Sequence, residues 1–208
     1  MSTSDITGRL AKYMAEARQR SLAPEVARAA RHRILDSLAA MVSGAHLKPG
    51  EMAIKFARAQ GGVAEAGVVT TDIRTSAINA ALANAMFAHA DETDDFHPAT
   101  KAHPGCSVVP AALAMAEREG SSGTELLNAV TLGYDLCCRF LLALGADQVR
   151  AAHRSAEGTS STMGSVGAAA ALARLDEKGM RHALSYAAQQ VSGIWSWVRD
   201  AEHVEKAF

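Results

Sequence analysis

The chain reads as an all-α protein, a multi-helix bundle-like domain. Three observations predict this: apolar residues recur at intervals of three and four along most of the length, capping signals stand where those runs begin, and one short stretch alone suits a strand. With 208 residues, 49% hydrophobic and 21% charged, the sequence fits one soluble globular domain or most of two small ones, and it is long enough to bury a core.

A first helix is expected around residues 5–19. Between Pro24 and Gly44 the residues Val26, Ala27, Ala30, Ile34, Leu38, Met41 and Val42 form an apolar stripe, with Pro24 and Glu25 suited to a first turn and Gly44 to a stop. A short helix follows over 51–60, ended by Gly61 and Gly62, and GVVTT from Gly67 is the strand candidate. From Ser76 the residues Ile78, Leu82, Ala85 and His89 step by four, three and four, which places His89 where its helix faces the core. A helix over 106–118 comes next. The capping pattern from Ser122 to Glu125 then introduces Leu126 to Leu144, apolar all round except for a strip through Asn128, Thr131, Asp135 and Arg139, as in a central helix. Two further helical stretches, EGTSSTMGSVGAAAALARL and KGMRHALSYAAQQVSG, follow, and the small residues from Gly164 to Ala169 suit close helix contact. No solenoid repeat or low-complexity linker is present.

The net charge of −1 and the absence of a clustered basic stretch argue against a nucleic-acid partner. The start lacks the order of a secretory signal, and no uncharged apolar run reaches the roughly 18 residues of a membrane span, so a cytoplasmic protein without a membrane partner is expected. Cys106, Cys137 and Cys138 form no CxxC pair and are odd in number, which suggests buried small hydrophobes rather than a zinc knuckle or a disulfide framework.

Chemistry is concentrated in HADETDDFHPATKAHPG, residues 89–105, where three histidines, a cluster of carboxylates and two prolines stand together. Glu92, Asp94 and Asp95 end a helix, and His97, Pro98, His103 and Pro104 follow in a segment that the prolines are expected to keep extended. Imidazoles held in fixed directions suit proton transfer near neutral pH. A solvated loop at a helix end is the bland alternative; a metal site has suitable ligand types but no recognised spacing. A second region, RSAEGTSSTMGSVG from Arg154, places Gly158, Ser160 and Ser161 at a helix start, where free N–H groups favour a carboxylate and Arg154 can balance its charge. Tight helix packing through Gly164 and Gly167 explains the same stretch at least equally well. A third, WSWVRDAEHVEK, carries Arg199, His203 and Lys206.

Taken together, ANAMFAHADETDDFHPATKAHPGCSVVPAALAMAE, GTSSTMGSVGAAAALARL and VSGIWSWVRDAEHVEK resemble the MmgE/PrpD family, which includes 2-methylcitrate dehydratase, cis-aconitate decarboxylase and iminodisuccinate epimerase. The resemblance implies a helical domain, here the single domain 1–208, joined in full-length members to a smaller α+β domain that this chain lacks, as in an N-terminal fragment of a longer two-domain enzyme. It also implies a metal-free, cofactor-free active site, a small polycarboxylate substrate and a homodimer. The family's acidic residue falls on Glu92 within Glu92-Thr93-Asp94-Asp95, its later His-Pro on His103-Pro104, and its lysine on Lys206. His97, Arg154, Gly158, Ser160 and Ser161 are the expected substrate-binding positions, and His103, Lys206, Glu92 and Asp94 the expected catalytic ones.

Two positions depart from the pattern. Phe96 stands where a hydroxyl residue is common, and Gly158 where the dehydratase and decarboxylase branch has a histidine; His153 lies five residues earlier. The resemblance implies a carbon–oxygen lyase of dehydratase type, with an epimerase or isomerase as the alternative and a non-catalytic helical dimerisation domain as the alternative of another class. Glu92, Asp94 and Asp95 are expected to orient His97 and His103 rather than to bind a metal.

Overall fold

The computed structural model describes residues 5–202 and 204–208. It contains α1 (Ile6–Ala17), α2 (Pro24–Gly44), α3 (Lys48–Gln60), α4 (Ala77–His89), α5 (Pro104–Glu119), α6 (Gly123–Leu144), α7 (Ala146–Ala151), α8 (Ala156–Leu172), α9 (Glu177–Gln190), a 3₁₀ turn (Trp195–Arg199) and α10 (Val204–Ala207). The fold is all-α apart from one antiparallel two-strand ribbon, β1 (Ala66–Gly67) with β2 (Arg74–Thr75), in which Ala66 faces Thr75. His203 lies outside the described residues.

The helices start where local chemistry favours a start. Ser76, Ser155 and Asp176 accept an N–H of the first turn as N-caps of α4, α8 and α9. Ser122 and Glu125 complete the expected capping box on α6. The third helix begins at Lys48, before the expected position, because Pro49 is preset for a first turn. Gly44 is not a stop: it remains helical, and Ala45 after it keeps right-handed helical angles. Its smallness serves the crossing of α2 over α4, where a Cβ would come within 2.9 Å of Ala90 Cβ. Of GVVTT only Gly67 pairs as strand; Val68 to Thr71 turn back through bonds from Val68 N to Ile73 O and from Thr71 N to Val68 O.

The core runs through α4, α5, α8 and α6, each packed on the next, with α2 and α3 over α4 and with α1 and α9 paired beside α8. α6 is long and apolar enough by composition to cross a membrane, yet it is the core helix here, with Ala129, Val130, Leu132, Leu136 and Leu141 buried. Its polar strip is used at the surface: Asn128 donates to Arg18 O and Arg20 O, and Asp135 accepts from Tyr13 Oη at 2.8 Å. α8 meets α6 backbone to backbone, and a Cβ on Gly164 would stand 2.9 Å from Gly133 O.

The stripe expected to turn α4 toward the core does so only in part. His89 is buried and Leu82 packs against the core, but Ile78 is 80% exposed, and Ala80, Ala83, Asn84 and Phe87 fill the core. A helix with six alanines in thirteen residues is only weakly amphipathic, so spacing does not say which side is buried. Leu82 and Met86 also line a groove of about 600 Å³ against Val204 and Phe208. Ala85 and His89 line the cleft beside it. The segment after α9 reaches this place along the start of α8: Ser155 N donates to Gly193 O and Trp195 N to His153 O. Gly193 makes that path possible, since it takes a φ of +112°.

Candidate active site

The C-terminal end of α4, the N-terminal end of α5, the first turns of α8 and residues 192–197 and 205–208 enclose a cleft of about 470 Å³. His89, His103, Cys106, Ser107, Glu157, Gly158, Ser161, Trp197, Glu205 and Lys206 are among its lining residues. Regions far apart in sequence therefore meet at one place.

Asp94 is the centre of the arrangement. Its side chain is fully buried, and its two oxygens lie 3.1 and 3.2 Å from His89 Nδ1, with Oδ2 also 3.3 Å from His103 Nδ1 in a bent contact. The two imidazole rings meet edge to face with centroids 5.0 Å apart, and Phe96 packs against His103 at 5.6 Å. Burial pushes the Asp94 carboxyl up, but the hydrogen bonds of His103 and His89 outweigh it and hold the group at about 2. The same carboxylate raises His103 above its ordinary value, against the lowering by burial. His103 precedes Pro104 at the start of α5, so its backbone direction is set by the helix it introduces.

Glu92 follows α4 in the left-handed region, φ +54°, a backbone state of the kind held at functional sites. Its carboxylate pairs with Lys206, and Oε1 lies 3.9 Å from His89 Nε2. The Lys206 ammonium also sits over the Trp197 ring, 4.8 Å from its centroid. Burial pulls the lysine below its ordinary value, while the Glu92 charge works in the opposite direction.

Not every expected residue reaches the cleft. His97 closes the turn His97–Ala102: its N donates to Ala102 O at 2.8 Å and its Nδ1 contacts Thr100 Oγ1 at 2.7 Å. The segment is folded rather than extended, because proline also suits the second place of a turn and the first turn of a helix. Asp94 orients His89 in place of His97, and Asp95 accepts from Gly105 N at 2.8 Å and faces Arg33. Arg154 is exposed and its backbone pairs with Ile194; Ser160 is buried and donates to Glu157 O. Gly158 and Ser161 do line the cleft, but the Gly158 N–H is spent on Ser155 Oγ at 2.9 Å.

Two residues of consequence are not among the expected site residues. His89 opens the histidine-rich stretch but, ending a helix, reads as core. Arg150 is 7% exposed and donates to Thr100 O at 2.8 Å and to Glu157 Oε1, tying the 97–102 turn to α8. It reads as an ordinary basic residue near a helix end.

His89 Nδ1, an Asp94 oxygen and Cys106 Sγ lie within 4.8 Å of one another, a donor set of N, O and S that zinc accepts. The local chemistry disfavours that use. Burial pushes the Cys106 thiol well up, away from the thiolate that a metal needs, and the Asp94 oxygens are already engaged by imidazoles.

A helical domain with an acid–base cleft at one end is the class that fold and geometry define. Residues 8–208 match the MmgE/PrpD N-terminal domain, and the chain belongs to that family. It is also similar to a cis-aconitate decarboxylase-like protein, oryM, of Aspergillus oryzae (strain ATCC 42149 / RIB 40): 27% identical over 179 residues, 82% of this chain and 36% of that protein. The chain thus spans about a third of the length of the curated relative it matches.

Proposed function

We propose that this cleft moves a proton at a carbon next to a carboxylate of a small di- or tricarboxylate, in an enzyme that is a carbon–oxygen lyase of dehydratase type. The observation that carries the reading is the meeting of His103 and Lys206 in one cleft, each beside its own carboxylate, Asp94 and Glu92. Breaking the C–H bond leaves an electron pair that passes into the adjacent carboxylate as an enediolate. A half-buried ammonium and an imidazolium stabilise that charge better than water does. His103 receives the proton from the carbon, and Lys206 is its opposite number. Ser107 and Ser161 line the same walls and offer hydroxyl donors to the carboxylates of the substrate. Family membership and the cis-aconitate decarboxylase-like relative support a polycarboxylate. A cytoplasmic homodimer, independent of metal, membrane and nucleic acid, is the setting proposed with it.

A second reading, an epimerase or isomerase of a dicarboxylate, is favoured by Gly158, which brings no side chain to the cleft and so no acid for a leaving hydroxyl. Both readings need the same first step. The full-length protein with cis-aconitate in heavy water is expected to wash deuterium into the CH₂ carbon. His103→Ala and Lys206→Ala should each slow this by roughly 10² to 10⁴ with the fold intact. Undiminished exchange in both variants would place the chemistry elsewhere.

A further inference from the structure

We infer that His89 is a second catalytic acid–base residue of this cleft, the group that gives a proton to the departing hydroxyl. The inference rests on the proposed α-proton reading and deepens it.

His89 shares with His103 what an acid–base partner needs. Its ring lines the same cleft, is 8% exposed, and lies edge to face with His103 at 5.0 Å. Its Nδ1 is committed to Asp94 at 3.1 and 3.2 Å. That contact fixes Nδ1 as the N–H and leaves Nε2 as the atom that gains or loses a proton. The Nε2 atom points toward Glu92, 3.9 Å away, whose carboxylate holds Lys206, so it faces the side from which the lysine enters.

The shared carboxylate then divides the labour. Asp94 contacts both Nδ1 atoms and so leaves both Nε2 atoms turned away from it. Elimination of water requires one acid and one base, and two imidazoles set on a single carboxylate supply one of each. His103 takes the proton from the α carbon; the C–H electron pair becomes the new C=C bond; the C–O bond breaks with its pair; and the leaving oxygen takes the Nε2 proton of His89 to depart as water. The pair ends with its proton count unchanged and the two rings exchanged in charge. Gly158 offers no side chain for this task, and Cys106, which also lies beside the rings, is held as a thiol by burial.

The test uses two readouts on the full-length protein with citrate in heavy water: loss of water, which produces an absorbing C=C bond, and deuterium wash-in to the CH₂ carbons of recovered citrate, which reports the α-proton step alone. His89→Asn keeps an N–H donor near the place of Nδ1 but removes Nε2. It is expected to fold with a melting temperature lowered by a few degrees at most, since one imidazole contact to Asp94 is exchanged for an amide, and to slow dehydration by roughly 10² to 10⁴, while wash-in falls by about tenfold or less. Dehydration by His89→Asn at the wild-type rate would overturn the assignment. Equal loss of both reactions with an intact fold would also overturn it, since His89 would then act only by placing Asp94 and His103. Wild type that exchanges but releases no water from citrate leaves His89 no leaving group, and the inference fails while the α-proton reading stands. Wild type that does neither overturns both.

Discussion

Asp94 Oδ2 lies 3.3 Å from His103 Nδ1 inside a pocket that leaves none of the aspartate side chain exposed. A carboxylate in that position is stable only while an imidazole shares its charge. The contact should therefore be visible in stability against pH. The Asp94 carboxyl falls from 3.8 to about 2, worth about 2 kcal/mol. That contribution is present above 3.8 and is lost as the pH falls through about 2. His103 is raised above 6.5, so its share is complete below 6.5 and is lost as the pH rises through its folded value. Asp94→Asn should lower the melting temperature by about 5 °C between those limits and by less on either side. A pH-independent difference would mean that the aspartate acts by shape alone.

Glu92 and Lys206 form the other charged pair of the cleft. Burial already pulls the lysine down, and Glu92→Gln would remove the charge that works against that pull. A larger neutral fraction at neutral pH is the expected result. Acylation of Lys206 by acetic anhydride, followed by peptide mass spectrometry across a pH series, should run faster in the variant and begin at lower pH. An unchanged profile would show that Glu92 does not govern the ammonium.

The long helices were legible where they carry their own start signal. The capping box at Ser122 and the proline at Pro24 state where a turn can begin without reference to anything distant. The side each helix buries was legible only where polar residues mark the other side, as in α6. In α4 nothing marks it, and Ile78 came out exposed. The site was half legible. His103, Asp94, Glu92 and Lys206 stand in residue patterns with a known resemblance. Arg150 takes its place through Thr100, fifty residues away, and no local spacing encodes that; His89 stands in the histidine-rich stretch, but its helical position makes it read as core.

The cluster of His89, Asp94 and Cys106 tests the metal-independent reading directly. If Asp94 serves the two imidazoles, purified protein should carry far less than one zinc, iron or manganese per chain by elemental analysis. Treatment with a chelator should leave its melting temperature unchanged. Near-stoichiometric metal that resists dialysis would replace the hydrogen-bonded arrangement with a coordinated one.

Arg150 supplies the last prediction, because its effects on fold and on site can be separated. The guanidinium is almost fully buried between Thr100 O and the Glu157 carboxylate, and Glu157 lines the cleft within electrostatic reach of His103. Arg150→Met leaves a largely buried carboxylate without its cation and the 97–102 turn without its tie to α8. Breaking such a pair costs roughly 3 to 5 kcal/mol. Arg150→Lys keeps the charge but has no planar fork to hold Thr100 O and Glu157 together, so it should recover only part of the loss. The double variant Arg150→Met with Glu157→Gln removes the stranded charge and should regain stability over Arg150→Met. It should also lower the His103 titration followed by NMR, since Glu157 is one of the carboxylates that raise it. A double variant no more stable than Arg150→Met would show that packing of the arginine stem, rather than pairing with Glu157, is what the domain needs.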